Sequence, residues 1–447
     1  MARVLWLLVA AMLAASLAAT LWFVVRTLPV RVPYWGEAEV VFEASRLRAH
    51  EPLFVDPLVG ATERGLPPSR WYVTYPPLWS WGVSFVPQGG ALIGARVAST
   101  LAWFGALGWL AWLGNKREAA VAAAFVAGVW VLANFATTGR PDSIAAAVAA
   151  VALVRATRGA RIDPLTIALF VLVPWLKPTM IGLPFGALVA ARDRRALAIA
   201  AGLALASAAI AHVASGGALF HHVVRSNAQP FTLAAWLDQV PARLPFFAPL
   251  FAWAAWLGWR ERASASMRIA LGALAASVAW TLVALAKTGS SSNYWMEPCV
   301  AAVVVVVRAR PSPRDARFAA AALAATAYAG VASIRGALEH AATYRADAET
   351  VQRMSALCNK SVDEVVAADE AGIELLLDGR ILVPTYQMVH LVRRGDFPAA
   401  PWAADLGRAR CFIEHTGQLR LVPELARAID ESFVLVAEER GHRLYKR

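Results

Sequence analysis

The chain has 447 residues, of which 58% are hydrophobic and 17% are charged, and its net charge is +12. This composition argues against a soluble domain and predicts a polytopic α-helical membrane protein. Residues up to 335 contain 29 Lys and Arg against 14 Asp and Glu, whereas residues 336–447 contain 14 against 17. The basicity therefore marks cytoplasmic loops, and no nucleic-acid partner is expected.

Apolar segments recur from residue 4 to residue 334. They predict about eleven transmembrane helices. The segments are 4–25, 89–113, 119–135, 143–154, 164–175, 178–191, 196–214, 245–259, 268–286, 298–307 and 316–334. The first could be a signal peptide, because "SLAAT" offers small residues for cleavage, but its apolar run is longer than a signal-peptide core, so a retained helix is preferred.

The first outer loop, residues 26–75, contains the stretch "YWGEAEV". Glu37 and Glu39 are two residues apart and diverge by about 200° on a helix, so only one of them is expected to act as the acid or base. An acidic group at the mouth of an apolar cavity is suited to take a proton from a hydroxyl near neutral pH. The alternative is that both are ordinary solvated loop charges.

The stretch "TTGRPDS" lies at a helix junction, where Pro141 fits a first helical turn and Asp142 lies where the helix dipole favours an anion. Arg140 either belongs to this capping arrangement or faces a phosphate. Lys177 lies in "PWLKPT", between two apolar arms that are too short for full crossings and predict a broken hairpin. An intramembrane Lys is a functional candidate, and the alternative is that it extends to the headgroups.

Two later junctions carry further candidates. In "FHHVVR", His222 and Arg225 could reach an anionic head group or decorate the interface, and adjacent histidines do not favour a two-His metal site. The stretch "KTGSSSNYWMEP" either hydrogen-bonds and stacks on a sugar or forms an aromatic belt. Its candidate residues are Lys287, Asn293, Tyr294 and Glu297.

Helix-forming and short β-rich runs alternate beyond residue 363 and predict a small α/β domain. With a cytoplasmic N-terminus, the basic clusters fall on alternate loops, so the C-terminal part is expected to be extracytoplasmic. We therefore predict a transmembrane domain of residues 1–335, including the outer loop 26–75, and an extracytoplasmic domain of residues 336–447. Cys358 and Cys411 are expected to pair in that oxidising compartment.

In order along the chain, "YWGEAEV", "ASRLRAHEPLFVDP", "YPPLWSW", "GRPDS", "LKPT" and "NYWMEP" resemble the GT-C superfamily of polytopic glycosyltransferases, of the mannosyltransferase and arabinosyltransferase kind. The resemblance implies an inverting transferase that moves a hexosyl or pentosyl group from a polyprenyl-phosphate donor. The acceptor would be a hydroxyl of a cell-envelope glycan, lipid or protein at the outer face of a bacterial plasma membrane. No cofactor is expected, and no divalent cation is indicated.

The resemblance also implies an acidic base in the first outer loop. Glu37 matches that position best and Glu39 is second, although the family often has Asp there. The donor phosphate would be bound by Arg140, Lys177 and Arg225. The expected substrate-binding residues are Tyr34, Trp35, Asp142, His222, Lys287, Asn293, Tyr294 and Glu297. The alternatives are a flippase or transporter of lipid-linked sugars, which shares broken helices and buried cations, and a non-catalytic envelope-assembly protein.

Overall fold

The computed structural model describes residues 2–32, 36–62, 66–114, 117–159, 161–310, 316–361 and 364–447. The helices of the first half are α1 (Ala2–Thr27), α2 (Glu37–Arg48), α3 (Leu78–Ser84), α4 (Ala91–Gly114), α5 (Arg117–Gly128), α6 (Trp130–Ala136), α7 (Asp142–Ala156), α8 (Pro164–Leu176), α9 (Gly182–Ala191) and α10 (Arg194–Ala214). Those of the second half are α11 (Leu233–Arg260), α12 (Ala265–Ala284), α13 (Met296–Arg308), α14 (Ala316–Cys358), α15 (Ala371–Asp378), α16 (Thr385–Arg393), α17 (Ala399–Leu406) and α18 (Pro423–Ser432).

The chain divides into two compact units. The helical unit comprises Met1–Leu28, Arg96–Ile210 and Gln229–Ala341, and the α/β unit comprises Pro29–Ala95, Ala211–Ala228 and Ala342–Arg447. This division differs from the one predicted from hydropathy, because most of the first outer loop belongs to the same unit as the C-terminal residues. The loop is thus part of a folded body and not only a connection between helices.

Each predicted apolar segment overlaps a helix, except that segment 119–135 covers both α5 and α6. By length and composition, five helices among the described residues can cross a membrane, and the number is six if α5 and α6, bent by 71°, form one span. The five spans are Leu7–Thr27, Gln88–Gly114, Arg194–Ala214, Leu233–Arg260 and Ala265–Ala284. Helices α8 and α9 are apolar but shorter than the roughly 20 residues of a full crossing.

Small residues allow helices of the helical unit to approach closely. A Cβ atom added to Gly186 of α9 would lie 2.2 Å from the carbonyl oxygen of Gly272 in α12, so only glycine permits this contact. Helix α13 has a run of buried valines, Val303 to Val306, and forms part of the core of the unit. These contacts fix the helix ends that carry the polar residues described below.

The predicted broken hairpin is confirmed. Helix α8 ends at Leu176, Lys177 has an extended backbone with φ −140° and ψ 101°, and α9 begins at Gly182. Interrupted helices leave backbone groups and side chains free to contact neighbours within a bundle. The interruption therefore places Lys177 between two helix ends.

The α/β unit contains a four-stranded sheet of β1 (Val366–Ala368), β2 (Cys411–Glu414), β3 (Val434–Glu439) and β4 (His442–Lys446), in the order β1-β2-β4-β3. Strands β1 and β2 are parallel, and the other pairs are antiparallel. Because side chains alternate along a strand, the two faces of β2 enter separate apolar clusters, one with Phe412 and the other with Cys411 and Ile413. The predicted small α/β domain is confirmed.

The predicted pairing of Cys358 and Cys411 is also confirmed. The two residues form a disulfide with their Cα atoms 6.1 Å apart. It links the last residue of α14 to the first residue of β2. The end of α14 is therefore fixed to the sheet.

The first outer loop packs against the C-terminal part within the α/β unit. Arg70 forms an ion pair with Asp405, with Nε 2.7 Å from the carboxylate oxygen, and its backbone N–H donates to Leu382. Tyr72 joins the apolar cluster that also contains Phe412. These long-range contacts explain why the loop and the C-terminal residues form one unit.

Candidate active site

The carboxylates of "GEAEV" lie in the first turn of α2. Gly36 precedes the helix with φ 80°, a backbone conformation that favours glycine, and Glu37 is the first helical residue. The partial positive charge of the helix N-terminus stabilises acidic residues there. The exposed fraction is 0% for Glu37 and 8% for Glu39, so the alternative that both are ordinary solvated charges is wrong.

A third carboxyl group, Glu43, lies one turn after Glu39 on α2. It is buried, and Ser80 donates a hydrogen bond to its Oε2 atom. Burial raises the pKa of Glu43 to about 8, with the Ser80 hydrogen bond opposing the rise and the charge of Glu39 adding to it. The sequence analysis missed Glu43, although residues spaced by four on a helix share a face.

A fourth carboxyl group comes from the C-terminal part of the α/β unit. Glu370 follows β1 and directly precedes α15. Burial raises its pKa to about 8, and the charges of Glu39, Asp369 and Glu37 add to the rise. No local pattern marks Glu370, because its position beside α2 depends on packing between segments more than 300 residues apart.

The helical unit contains a different polar cluster around Asp142. This residue begins α7 and is fully buried, and its carboxylate lies 3.0 Å from Lys177 Nζ and 3.2 Å from Arg140 Nε. Asn293 also donates a hydrogen bond to it, at 2.6 Å. The structure thus brings together two predicted phosphate-binding residues and two predicted substrate-binding residues. Two buried cations thus share the Asp142 carboxylate.

The other predicted sugar contacts in the helical unit are spread out. The Glu297 carboxylate accepts a hydrogen bond from the backbone N–H of Leu183, at 2.7 Å, and so caps the start of α9. Tyr294 and Lys287 are half-buried. The contact of Glu297 is structural, and the sugar-binding roles of these residues stay predictions.

His222 has structural contacts in the α/β unit. It is buried, and its Nδ1 atom accepts a hydrogen bond from the backbone N–H of Val73 at 3.1 Å. Its ring packs against Phe54 and Tyr72, with centroid distances of 5.3 Å to each. Burial lowers the pKa of His222 to about 4, so the ring is neutral near pH 7 and does not offer a charge to an anionic ligand.

The remaining predicted residues lie apart from these clusters or outside the described part of the chain. The Arg225 side chain is 63% exposed and lies 3.9 Å from the carboxylate of Asp396. Tyr34 and Trp35 are outside the described residues. Within the part of the chain that the structure describes, no group of three His, Cys, Asp or Glu side chains is arranged to hold a metal ion.

No protein-family model and no curated protein matches the sequence. Solved structures that are similar to the chain include ArnT from Cupriavidus metallidurans bound to undecaprenyl phosphate and the same protein in the apo state. The first has 14% identity and a TM-score of 0.57, covering 98% of this chain and 97% of that chain. The second has 15% identity and a TM-score of 0.56, covering 100% and 98%.

The similarity extends over nearly the whole length of both chains, so it concerns the complete architecture. The chain is a polytopic α-helical membrane protein of the GT-C-like fold, with a small C-terminal sheet domain. More particularly, its arrangement of helices and sheet is similar to that of ArnT. At this level of identity, the comparison defines the fold.

Proposed function

We propose that the protein is an inverting glycosyltransferase that moves a sugar from a polyprenyl-phosphate donor to a hydroxyl group of a cell-envelope acceptor. The fold supports a polyprenyl-phosphate donor, because ArnT has been solved with undecaprenyl phosphate bound. The observation that carries the chemical step is the burial of Glu37 at the first position of α2. A carboxylate held there by the helix N-terminus has a fixed position from which to accept a proton.

In the proposed reaction, the acceptor oxygen forms a bond to the anomeric carbon from the face opposite the phosphate. The bond between that carbon and the phosphate oxygen breaks, and the electron pair leaves with the lipid phosphate. The hydroxyl proton passes to the Glu37 carboxylate, and the anomeric configuration inverts. Glu37 acts as the general base, and Glu39 is the second candidate for this role.

Negative charge develops on the departing phosphate. Arg140 and Lys177 are two buried cations that the Asp142 carboxylate holds close together. Cations that are already fixed in a water-poor environment stabilise developing negative charge without reorganising. We therefore assign Arg140 and Lys177 to the donor phosphate and Asp142 to holding the two cations.

The test is transfer from labelled polyprenyl-phosphate hexoses and pentoses to envelope acceptors, in membranes with matched expression. Glu37→Gln keeps the shape but removes the basicity, so we expect turnover to fall about 100-fold or more. Glu39→Gln should lower turnover far less. Glu424→Gln is the matched control, because Glu424 also lies in the first turn of a helix, α18, but is exposed.

Each outcome has a separate consequence. Normal turnover by both Glu37→Gln and Glu39→Gln would remove the proposed mechanism, and loss only in Glu39→Gln would move the base by two residues. Arg140→Ala and Lys177→Ala should weaken donor binding as well as turnover. Movement of the lipid-linked sugar across the bilayer without transfer would favour the flippase alternative.

The proposed sidedness puts residues 336–447 outside the cytoplasm of a bacterial plasma membrane. The disulfide between Cys358 and Cys411 supports this, because such bonds persist in oxidising compartments. A reporter that is active on one side of the membrane only, fused after Gly395, tests it. Activity of a cytoplasm-only reporter at that position would overturn the assignment.

A further inference from the structure

Helix α15 packs against α2 within the α/β unit. Ala38 and Phe42 of α2 and Ala371 of α15 belong to one apolar cluster. Ala38 lies between Glu37 and Glu39 in the sequence, and Ala371 directly follows Glu370. The apolar contact therefore brings the carboxyl group of Glu370, which directly precedes α15, to the carboxylates in the first turn of α2.

Two carboxyl oxygens near this contact are unsatisfied. Among the described residues, Glu370 Oε1 and Glu43 Oε1 are buried without a hydrogen-bond partner. A buried charge that lacks a partner is costly, and the group avoids the cost by binding a proton. We therefore expect Glu370 and Glu43 to retain protons.

The charged groups that face Glu370 are carboxylates. Glu39 and Glu37 face it from α2, and Asp369 lies next to it in the chain. Asp369 is already bound by the loop after β2, since its carboxylate accepts backbone N–H groups from Thr416 at 2.9 Å and Gly417 at 2.6 Å. Glu39 is therefore the partner with which Glu370 interacts most strongly.

We infer that Glu370 is a positioning residue of the carboxylate site on α2 and shares one proton with Glu39. The C-terminal domain would then complete the transferase site, and this part of the inference depends on the proposed function. With one shared proton, the pair carries a single negative charge and leaves the Glu37 carboxylate as the base. When the shared proton is lost, two like charges repel and the first turn of α2 is displaced.

A test that does not need activity is infrared titration of the full chain, which detects protonated carboxyl groups. The wild-type chain should lose a carboxyl band as pH rises through about 8, and Glu370→Gln should remove that component. In a Glu39→Gln background, the Glu370 component should titrate lower, by about one pH unit or more, because a like charge has gone. An unchanged titration of Glu370 in that background would overturn the inference.

Glu374→Gln is the matched control for this cycle. Burial also raises the pKa of Glu374 to about 8, but its carboxylate accepts backbone N–H groups from Ala368 and Leu382. Its band should therefore not respond to Glu39→Gln, and an equal response would make the effect nonspecific and count against the inference. If Glu370→Gln does not fold, Glu370→Asp keeps the carboxyl group, whose band must still respond to Glu39→Gln.

The second readout is the pH dependence of transfer. Wild-type turnover should decline as pH rises through about 8, where Glu370 loses its proton, and Glu370→Gln should move this decline upward by about one unit or more. If Glu370→Gln lowers turnover but leaves the pH of the decline unchanged, Glu370 has a purely structural role. If the wild type transfers no sugar, the proposed function fails, while the infrared cycle still decides whether the proton is shared.

Discussion

The helical unit and the α/β unit bury ionisable groups in different ways. Around Asp142, opposite charges lie 3.0 and 3.2 Å apart, so the cost of burial is offset by cations. Around Glu39, the neighbouring buried groups are further carboxyls, and the raised pKa values of Glu43 and Glu370 indicate that protons offset the cost. The helical cluster therefore depends on its ion pairs for stability, whereas the charge of the α/β cluster depends on pH.

The difference also separates two kinds of chemistry. Two cations held in fixed positions suit an anion such as a phosphate, and a carboxyl cluster that exchanges protons near pH 8 suits acid–base work. Both clusters are buried, so burial alone does not distinguish them. The two clusters are distinguished by the number of neighbouring ionisable groups and by the sign of their charge.

The largest expected effect comes from removing the shared anion of the helical cluster. Asp142→Ala leaves two buried cations without their carboxylate and should destabilise the protein by about 3–5 kcal/mol. Thermal unfolding in detergent measures this. Glu339→Ala is the control, because it removes a carboxylate from an exposed ion pair with Arg335 and should unfold with the wild type. Equal stability of the two variants would show that the Asp142 cluster does not depend on its ion pairs.

The next effect tests whether the α/β unit depends on its covalent link. Replacing Cys358 and Cys411 together by Ser should cost about 2–4 kcal/mol, because the disulfide restricts the unfolded chain. Reductant should lower the unfolding temperature of the wild type and have no further effect on the double variant. If reductant affects both equally, the loss does not come from this bond.

Glu43→Gln tests whether the stability of the α/β unit depends on pH through a buried proton. The pKa of Glu43 is about 8 in the folded protein against an ordinary 4.5, so its contribution is fully present below pH 4.5 and is lost as pH rises through about 8. The variant should therefore unfold at a higher temperature than the wild type at neutral pH. Glu424→Gln, at an exposed position in the first turn of α18, is the control. Parallel unfolding curves of Glu43→Gln and wild type across this range would contradict the buried proton.

Replacing His222 should have the smallest effect on stability. The contribution of His222 is lost as pH falls, whereas that of Glu43 is lost as pH rises. Its pKa is about 4 when folded against an ordinary 6.5, so its contribution is present above pH 6.5 and is lost as pH falls towards 4. His222→Gln should flatten this part of the stability profile. His212→Gln, at an exposed position, should leave it unchanged. A profile that keeps its slope in His222→Gln would show that this titration does not belong to His222.

Several features follow directly from the sequence. Hydropathy predicted the helical segments, since each must satisfy its own backbone hydrogen bonds in a membrane. The short arms around Lys177 predicted the interruption between α8 and α9 and singled out this cation, and the helix junction in "TTGRPDS" singled out Arg140. Two cysteines in the predicted outer domain were enough to expect the disulfide. Each of these inferences depends on local composition or spacing.

Other features required the tertiary structure. The sequence alone left Glu37 and Glu39 as either working or solvated carboxylates, and their burial depends on how α2 packs. Nothing near Glu370 in the sequence indicates that it faces α2, and nothing near Glu297 indicates that it caps α9. The sequence determined which residues are apolar enough to form helices and which charges are costly to bury. Only the tertiary structure decided which charges share a cluster, because those contacts join residues far apart in the chain and depend on the packing of the helices between them.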